Sequence, residues 1–244
     1  MKKILIAAVV LAGLTTAANA AETIRFATEA SYAPFEFVDA NNAIQGFDID
    51  LAKALCKEIQ AQCTFTNQAF DSLIPSLKFR RFDAIISGMD ITPERLKQVA
   101  FTQPYYENSA IFIAQKGKYA DLASLKGKRV GIQNGTTHQK FLQDKHPEIT
   151  AVPYDSYQNA ILDLKNGRLD AVFGDTAVVN EWLKKDADLA TVGDKITDKN
   201  YFGTGLGIAV RQDNQALVNQ FNTALNKIRQ DGTYQTLYQK WFQK

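Results

Sequence analysis

Four groups of polar residues follow directly after short runs of strand-like composition. The groups are Glu29, 88–90, 133–137 and Asp175, and the runs before them are 24–28, 84–87, 129–132 and 169–173. In open α/β sheets, ligands bind beyond the carboxyl ends of the strands. If two such sheets face each other, all four groups lie at one cleft, and this cleft is predicted to bind a ligand.

The basic and hydrogen-bond-donating groups of this set suit a carboxylate. Arg95 can bind a carboxylate through two parallel N–H bonds, because its guanidinium is a planar fork. The turn of Gly135, Thr136 and Thr137 precedes a predicted helix, so its free N–H groups and hydroxyls also suit an anion. Taken alone, Arg95 has a plainer interpretation as a solvated surface residue.

The acidic and aromatic residues suit the opposite charge. Asp90 and Asp175 can accept hydrogen bonds from an ammonium group. The rings of Tyr32 and Phe70 can enclose a guanidinium or an alkyl-ammonium chain. With Glu29 as a distal acid, the whole set is typical of an amino-acid site. Taken singly, Asp175 could instead cap the next helix, Phe70 could lie in the core, and Glu29 could be a surface acid.

The elements that would position these residues alternate between strands and helices, which indicates an α/β fold. Strands are predicted at 24–28, 63–66, 84–87, 111–114, 129–132 and 169–173. Helices are predicted at 48–60, 70–79, 157–166 and 176–184, after Thr92 and Thr136, and as mostly one helical stretch over the last 30 or so residues. Asp48 is the predicted N-cap of the first helix and Thr92 that of the helix opened by Pro93.

The pattern restarts near residue 110 without a flexible linker, which predicts two α/β lobes. Each lobe is expected to be a mixed sheet flanked by helices, with a hinge between the lobes. Lobe 1 is assigned to 21–108 and 202–244, and lobe 2 to 109–201.

The first 20 residues are typical of a secretory signal peptide. Lys2 and Lys3 precede an apolar run over 4–14, which is too short to span a membrane, and Ala18 and Ala20 form a small-x-small cleavage site. Cleavage after Ala20 would release a soluble, exported chain.

The charge balance of that exported chain disfavours nucleic acid and anionic membranes as partners. Without Lys2 and Lys3 it would carry 26 basic and 26 acidic side chains. A neutral balance supplies no general attraction for phosphate-rich surfaces. No motif for a metal ion or a cofactor is recognised, and a monomer is expected.

The two cysteines, Cys56 and Cys63, lie close together in the exported part of the chain. In an oxidising compartment two nearby cysteines are predicted to form a disulfide. Their spacing is not that of a C-x-x-C redox motif, and they lack neighbouring histidines for a zinc site.

Several segments together resemble the family 3 bacterial extracellular solute-binding proteins. They are 46–51 (GFDIDL), 32–35 (YAPF), 70–77 (FDSLIPSL), 83–95 (DAIISGMDITPER), 135–137 (GTT), 173–175 (FGD) and 231–234 (DGTY). The resemblance covers nearly the whole exported chain. It is strongest to the periplasmic arginine-binding members, followed by the lysine/arginine/ornithine-binding and histidine-binding ones.

The resemblance implies a two-lobed periplasmic binding protein of type II, a clamp that closes on one L-amino acid and delivers it to an ABC permease. Arg95, the backbone of Ser87 and Thr137 would hold the α-carboxylate. The α-ammonium would be held by Asp175, Asp90 and the carbonyl of Gly88.

For the ligand side chain, the same resemblance implies a sandwich between Tyr32 and Phe70, with Glu29 at the charged tip and Gln133 beside it. It also matches Cys56 and Cys63 to the disulfide of the cationic-amino-acid branch.

Two positions depart from the broader lysine/arginine/ornithine-binding relatives, which carry Asp at the position of Glu29 and Ser at that of Asp90. The broad specificity of those relatives is therefore not assumed here. The resemblance implies L-arginine or a related cationic amino acid as the ligand, and a broad lysine/arginine/ornithine/histidine receptor is the alternative. An enzyme of the same fold, such as a cyclohexadienyl dehydratase, and a signalling receptor are the remaining alternatives. Neither His138 nor His146 forms a nucleophile–base motif, and both histidines are expected at the surface.

Overall fold

The computed structural model describes residues 22–243, which form two five-stranded sheets, a small three-stranded sheet and the helices that cover them. The predicted signal segment 1–20 lies outside the described residues. The strands are β1 Thr23–Thr28, β2 Ser31–Tyr32, β3 Glu36–Val38, β4 Ile44–Gln45, β5 Gln62–Asn67, β6 Ala84–Ile85, β7 Ala100–Phe101, β8 Ala110–Gln115, β9 Arg129–Gln133, β10 Thr150–Tyr154, β11 Ala171–Asp175, β12 Leu189–Ile196 and β13 Ala209–Val210. The helices are α1 Phe47–Glu58, α2 Leu73–Lys78, α3 Pro93–Leu96, α4 Thr137–Lys145, α5 Tyr157–Lys165, α6 Thr176–Lys185, α7 Gln215–Gln230 and α8 Thr233–Phe242. This alternation confirms the predicted α/β class.

The first sheet, the centre of lobe 1, has the strand order β5-β1-β6-β13-β7. β1 runs parallel to β5 and β6, whereas β13 runs antiparallel to β6 and β7. Successive side chains of a strand point to opposite faces. Phe26 belongs to the hydrophobic cluster that includes α1 and α7, whereas Ala27 packs with Leu73 and Leu77 of α2. Helices therefore cover both faces of the sheet.

The second sheet, the centre of lobe 2, has the order β10-β9-β11-β8-β12. β9 runs parallel to β10 and β11, and β8 runs antiparallel to β11 and β12. Ile113 and Val172 pack in the cluster that contains α5 and α6. Phe112 and Phe173, with ring centroids 4.1 Å apart, pack in the cluster that contains α4. This sheet is also mixed and covered on both faces.

The chain passes between the two sheets twice, and the two crossings lie side by side. The N–H of Tyr105 donates to the carbonyl of Leu206 at 2.8 Å, and the N–H of Leu206 donates to the carbonyl of Tyr106 at 2.9 Å. A paired double connection of this kind can act as a hinge while keeping the sheets in register. The residue limits assigned above to the two lobes remain a prediction.

The start of α1 differs from the prediction. Gly46, with φ of 136°, occupies the N-cap position, and Asp48 lies inside the first turn. Asp48 is fully buried, and its Oδ2 accepts hydrogen bonds from the N–H of Gly88 and the O–H of Tyr105, both at 2.8 Å. The assignment of Asp48 as the cap was therefore wrong, because tertiary donors use its carboxylate instead.

The caps of two further helices are confirmed. Thr92 accepts a hydrogen bond from the N–H of Arg95 at 3.2 Å, and Thr136 accepts one from the N–H of Gln139 at 3.3 Å. The predicted C-terminal helical stretch is interrupted once, because Gly232, with φ of 84°, separates α7 from α8.

The predicted disulfide is confirmed, since Cys56 of α1 is bonded to Cys63 of β5. It ties the last turns of the helix to the edge strand that follows. None of the helices within residues 22–243 has the length and apolar character that a membrane span requires.

Candidate functional site

A pocket lies between the two lobes, where the strands of both sheets end. Its lining residues are Glu29, Tyr32, Glu36, Phe70, Gly88, Asp90, Arg95, Gln133, Thr136, Thr137, His138, Tyr157 and Asp175. Nine of the ten residues predicted to bind ligand are in this set, and the exception is Ser87, whose side chain lies behind the pocket wall. The free space in the pocket is small, about 10 Å³ for the centre of a water molecule, and hydrogen bonds across it hold the lobes against each other.

Two buried acids, Asp90 of lobe 1 and Asp175 of lobe 2, share one donor. Asn108 Nδ2 lies 2.8 Å from Asp90 Oδ1 and 2.7 Å from Asp175 Oδ1. Burial and the charge of Asp175 raise the pKa of Asp90 well above its ordinary value, against the opposing effect of Arg95. A cation placed between the two carboxylates would relieve this repulsion.

Asp175 also stands at the N-cap position of α6, but its side chain makes no capping hydrogen bond there. Its Oδ1 instead receives Asn108 and lies 3.2 Å from Nε2 of His138. The carboxylate is thus directed into the pocket, and the interpretation as a helix cap is not supported.

Arg95 is buried, with 7% of its surface exposed, and it spans the gap between the lobes. Its Nη1 donates to the carbonyl of Asp90 at 3.0 Å and its Nη2 donates to the carbonyl of Gly135 at 3.2 Å. Burial lowers the pKa of Arg95, and the charges of Asp90 and Asp175 oppose that effect. The interpretation as a solvated surface residue is therefore wrong.

The beginning of α4 forms the opposite wall. Thr137 Oγ1 donates to Asp90 Oδ2 at 2.7 Å, and Thr136 Oγ1 donates to the carbonyl of Gln133 at 2.7 Å. The first N–H groups of a helix have no partner within the helix. The N–H groups of Thr137 and His138 are therefore positioned to bind an anion that enters beside Arg95.

The aromatic residues lie on two sides of the pocket. Tyr32 stacks on Tyr157 with ring centroids 5.2 Å apart, and its hydroxyl accepts the N–H of Asp175 at 3.1 Å. Phe70 faces the guanidinium of Arg95, whose central carbon lies 5.4 Å from the ring centroid. Both predicted rings line the pocket, and a sandwich of Tyr32 and Phe70 around a ligand stays a prediction.

Glu29 is a buried acid at the end of β1, with 7% of its surface exposed. Ser31 Oγ donates to its Oε1 at 2.6 Å, and its backbone N–H donates to Ser87 Oγ at 2.9 Å. Burial raises the pKa of Glu29, and hydrogen bonds from Ser31 and Gln133 oppose the rise. Among the described residues no Lys, Arg or His forms an ion pair with Glu29. A buried acid without such a partner suits a cationic ligand.

His138 differs most from its predicted position. It was expected at the surface, but 2% of it is exposed, and its ring lies edge-on to Phe173 at 4.9 Å. His146 is partly exposed and lies 3.0 Å from Glu148. His138 is one of four residues at the site that the sequence did not single out; the others are Glu36, Asn108 and Tyr157.

Known proteins with similar sequences cover the whole chain. The model of the bacterial extracellular solute-binding proteins, family 3, matches residues 24–244. The putative ABC transporter arginine-binding protein 2 of Escherichia coli (strain K12) is 72% identical over 100% of both chains. The ABC transporter arginine-binding protein 1 of the same strain is 66% identical over 99% of both, and its lysine/arginine/ornithine-binding periplasmic protein is 41% identical over 99% of this chain and 97% of its own.

Solved structures give the same relation. A Salmonella typhimurium periplasmic binding protein described for its high arginine specificity superposes with a TM-score of 0.88 and 57% identity, covering 91% of this chain and 100% of its own. An ancestral arginine-binding protein bound to arginine has a TM-score of 0.84 and 39% identity, covering 90% and 98%. The fold is therefore the two-lobed fold of periplasmic binding proteins, and the chain belongs to family 3 of the bacterial extracellular solute-binding proteins.

Proposed function

We propose that this chain is a periplasmic receptor that captures L-arginine between its two lobes and delivers it to an ABC importer. The observation that carries the proposal is a pocket between the lobes that is lined by one buried arginine, Arg95, and by buried acids that include Glu29, Asp90 and Asp175. Arginine brings two cationic groups and one carboxylate, so its charges complement this set. The arginine-binding names of the 72% and 66% identical relatives support the same ligand.

Each group of the ligand has a proposed partner. The α-carboxylate takes the place of the Gly135 carbonyl at Arg95 and accepts hydrogen bonds from Thr137 and the start of α4. The α-ammonium lies between Asp90 and Asp175. This assignment is supported by the 3.2 Å bond of Arg95 to Gly135 and by the shared donor of the two acids.

The ligand side chain extends past Tyr32 and Phe70 toward Glu29, with Gln133 beside its tip. Glu29 would supply the charge that a desolvated guanidinium requires. The raised pKa of Glu29 supports this role, because a cation would stabilise the carboxylate that burial now disfavours.

Capture would proceed by closure of the lobes. Hydrogen bonds now join them directly, from the N–H of Asp175 to Tyr32, from Arg95 to Gly135, and from Thr137 to Asp90. A ligand that binds groups on both lobes favours the closed state by its difference in affinity for the two states. Because the present space is close to that of one water molecule, the lobes must open before arginine enters.

The cellular setting follows from the same relatives. We infer that the signal segment is removed after Ala20, that the exported chain lies in the periplasm as a monomer, and that its closed form docks on an inner-membrane ABC permease. Binding without chemical turnover is proposed, because the names of the similar proteins describe binding.

The test is calorimetric titration of residues 21–244, refolded free of carried-over ligand, with arginine, lysine, ornithine, histidine and glutamine. We expect arginine to bind with a dissociation constant on the order of micromolar or below, about −8 kcal/mol or better, and ahead of the others. Equal affinity for several cations would replace this proposal with a broad basic-amino-acid receptor. A decrease in the amount of intact ligand during incubation with the protein would indicate an enzyme instead.

A further inference from the structure

Two neighbouring buried acids are Glu36 of β3, which lines the pocket, and Asp48 of α1, which does not. Glu36 is 1% exposed and Asp48 is 0% exposed. No Lys, Arg or His lies within ion-pair distance of either carboxyl among residues 22–243. In such an environment, ionisation of both of two adjacent carboxyl groups without a nearby cation has a large cost in free energy.

The hydrogen bonds around the pair account for all but two of its oxygens. Asp48 Oδ2 accepts from the N–H of Gly88 and the O–H of Tyr105. Glu36 Oε1 accepts from Ser87 Oγ at 3.1 Å. Glu36 Oε2 and Asp48 Oδ1 are buried without a donor, although the two side chains are within hydrogen-bonding reach of each other.

We propose that Glu36 and Asp48 hold one proton between them at neutral pH, and that this neutral–anionic pair positions Ser87, Gly88 and Glu29 at the ligand site. A single proton between Oε2 and Oδ1 gives both unpartnered oxygens a hydrogen bond. The effect on ligand binding rests on the receptor function proposed above, whereas the proton itself is a property of the ligand-free protein.

The proton resides on Glu36, and Asp48 is the anion. Asp48 then accepts three hydrogen bonds, from Gly88, Tyr105 and Glu36, which is the environment that stabilises a buried carboxylate. Burial and the charges of Asp48 and Glu29 raise the pKa of Glu36 well above its ordinary value. Burial raises the pKa of Asp48 to about 6, against the donors at Gly88 and Tyr105. The pair therefore titrates as a unit that carries one proton above about pH 6.

Further charged groups face the pair from neighbouring elements. Glu29 approaches from the end of β1, and its charge acts on Glu36. Burial and the charges of Asp48, Glu36 and Asp90 raise the pKa of Tyr105 well above its ordinary value, so Tyr105 stays a donor. Arg95 lines the same pocket from α3. The surrounding acids thus favour retention of the proton on Glu36.

A chain of hydrogen bonds connects the protonated pair of Glu36 and Asp48 to the ligand site. Asp48 holds the N–H of Gly88, while Glu36 accepts from the hydroxyl of Ser87, which in turn accepts the N–H of Glu29. Loss of the proton would place a second negative charge beside Asp48 and Glu29. Glu36 therefore acts as a positioning residue that keeps the distal acid in place.

The first test compares the folding stability of wild type and Glu36→Gln in the absence of ligand between pH 6 and 8. In the unfolded chain Glu36 is ionised over this range, whereas in the folded chain it keeps its proton, so rising pH destabilises wild type alone. The ratio of the two unfolding constants, wild type over variant, should rise about tenfold per pH unit. Exposed Glu107 provides the matched control, since Glu107→Gln should give a ratio that does not change with pH. A flat ratio for Glu36→Gln would overturn the shared proton.

Glu36→Ala provides a second variant if Glu36→Gln does not fold, because it also removes the shared proton and predicts the same slope. Infrared difference spectra of wild type minus either variant at pH 7 should contain a protonated-carboxyl band. Absence of that band would contradict the proposal without any variant titration.

The positioning role is tested by calorimetry with arginine at pH 7. Glu36→Ala should weaken binding at least about tenfold, and Glu36→Gln should recover most of the loss, since its amide can donate to Asp48 and accept from Ser87. Wild-type affinity in Glu36→Ala would overturn the positioning role. Failure of wild type itself to bind arginine would instead count against the proposed ligand, while the stability slope would still report on the proton.

Discussion

Arg95 combines two features that are rarely found together in a side chain: it is buried, and each of its two recorded side-chain hydrogen bonds goes to a neutral carbonyl. A buried guanidinium gains much more from a carboxylate than from a carbonyl, because bonds between charged groups are stronger. The residue is therefore poised for an anionic ligand group.

Substitution of Arg95 should remove binding of every amino acid, not of arginine alone. We expect Arg95→Ala to weaken arginine binding by about 100-fold or more, near 3 kcal/mol, because the ligand carboxylate is left buried without its partner. Calorimetry measures the loss, and Arg81→Ala, at an exposed arginine of lobe 1, is the control. Unchanged affinity in Arg95→Ala would show that the pocket assignment is wrong.

Glu29 should make arginine binding depend on pH. Its pKa is raised by burial, so the carboxylate gains a proton at a higher pH than an exposed glutamate does. As pH falls through that pKa the charge facing the guanidinium disappears, and affinity should fall with it. At neutral pH, Glu29→Gln should weaken arginine binding about tenfold or more and should lose this part of the pH dependence. Titrations from pH 4.5 to 8 with both proteins measure the difference; parallel profiles would refute the distal-acid role.

The polar residues that sequence reasoning found share a position at strand ends, as Glu29 and Asp175 show. Sequence reasoning did not identify Asn108, because nothing in the sequence indicates that this neutral amide, in a connecting segment, has two acidic partners. Sequence reasoning did not identify His138 as a site residue either, because a single histidine near a helix start gives no indication that aromatic rings will enclose it.

At the scale of elements, many strands and helices were predictable from their apolar pattern, as β9 and α5 show, but β10 and the eight-residue β12 were not predicted. The strand predicted at 84–87 is a strand over Ala84–Ile85 only, and the two-residue strand β7 is too short for such a pattern, since its pairing with β13 is set by the sheet. The break between α7 and α8 depends on the left-handed conformation of Gly232. Glycine can adopt this conformation, but its presence in a sequence does not show that it does so.

Gly46, at the junction of β4 and α1, should tolerate no side chain. Its φ is 136°, and an added Cβ would lie 2.1 Å from the carbonyl oxygen of Phe35. We expect Gly46→Ala to destabilise the protein by about 3 kcal/mol or more. Gly167 has φ of 72° but nothing within 4 Å of the added atom, so Gly167→Ala should cost only about 1 kcal/mol. Urea denaturation compares them; equal costs would show that the contact with Phe35 relaxes freely.

At the scale of the whole molecule, closure should be visible as a change of size. The two lobes meet through a paired double connection and a few hydrogen bonds across the pocket, so ligand can shift them between open and closed states. We expect the radius of gyration from small-angle X-ray scattering to fall when arginine is added to ligand-free protein. Arg95→Ala at the same arginine concentration is the control and should show no fall. A wild-type radius that is independent of arginine would exclude closure on binding.

The first and last strands of the second sheet along the chain, β8 and β12, lie side by side. They are antiparallel neighbours in which Ala110 pairs with Ile196. The segment between them is therefore a cassette, inserted into the rest of the chain through two junctions that lie side by side. Because Thr137 and Asp175 lie within the cassette while Tyr32 and Arg95 lie outside it, exchange of this one contiguous segment would replace half of the pocket lining as a unit.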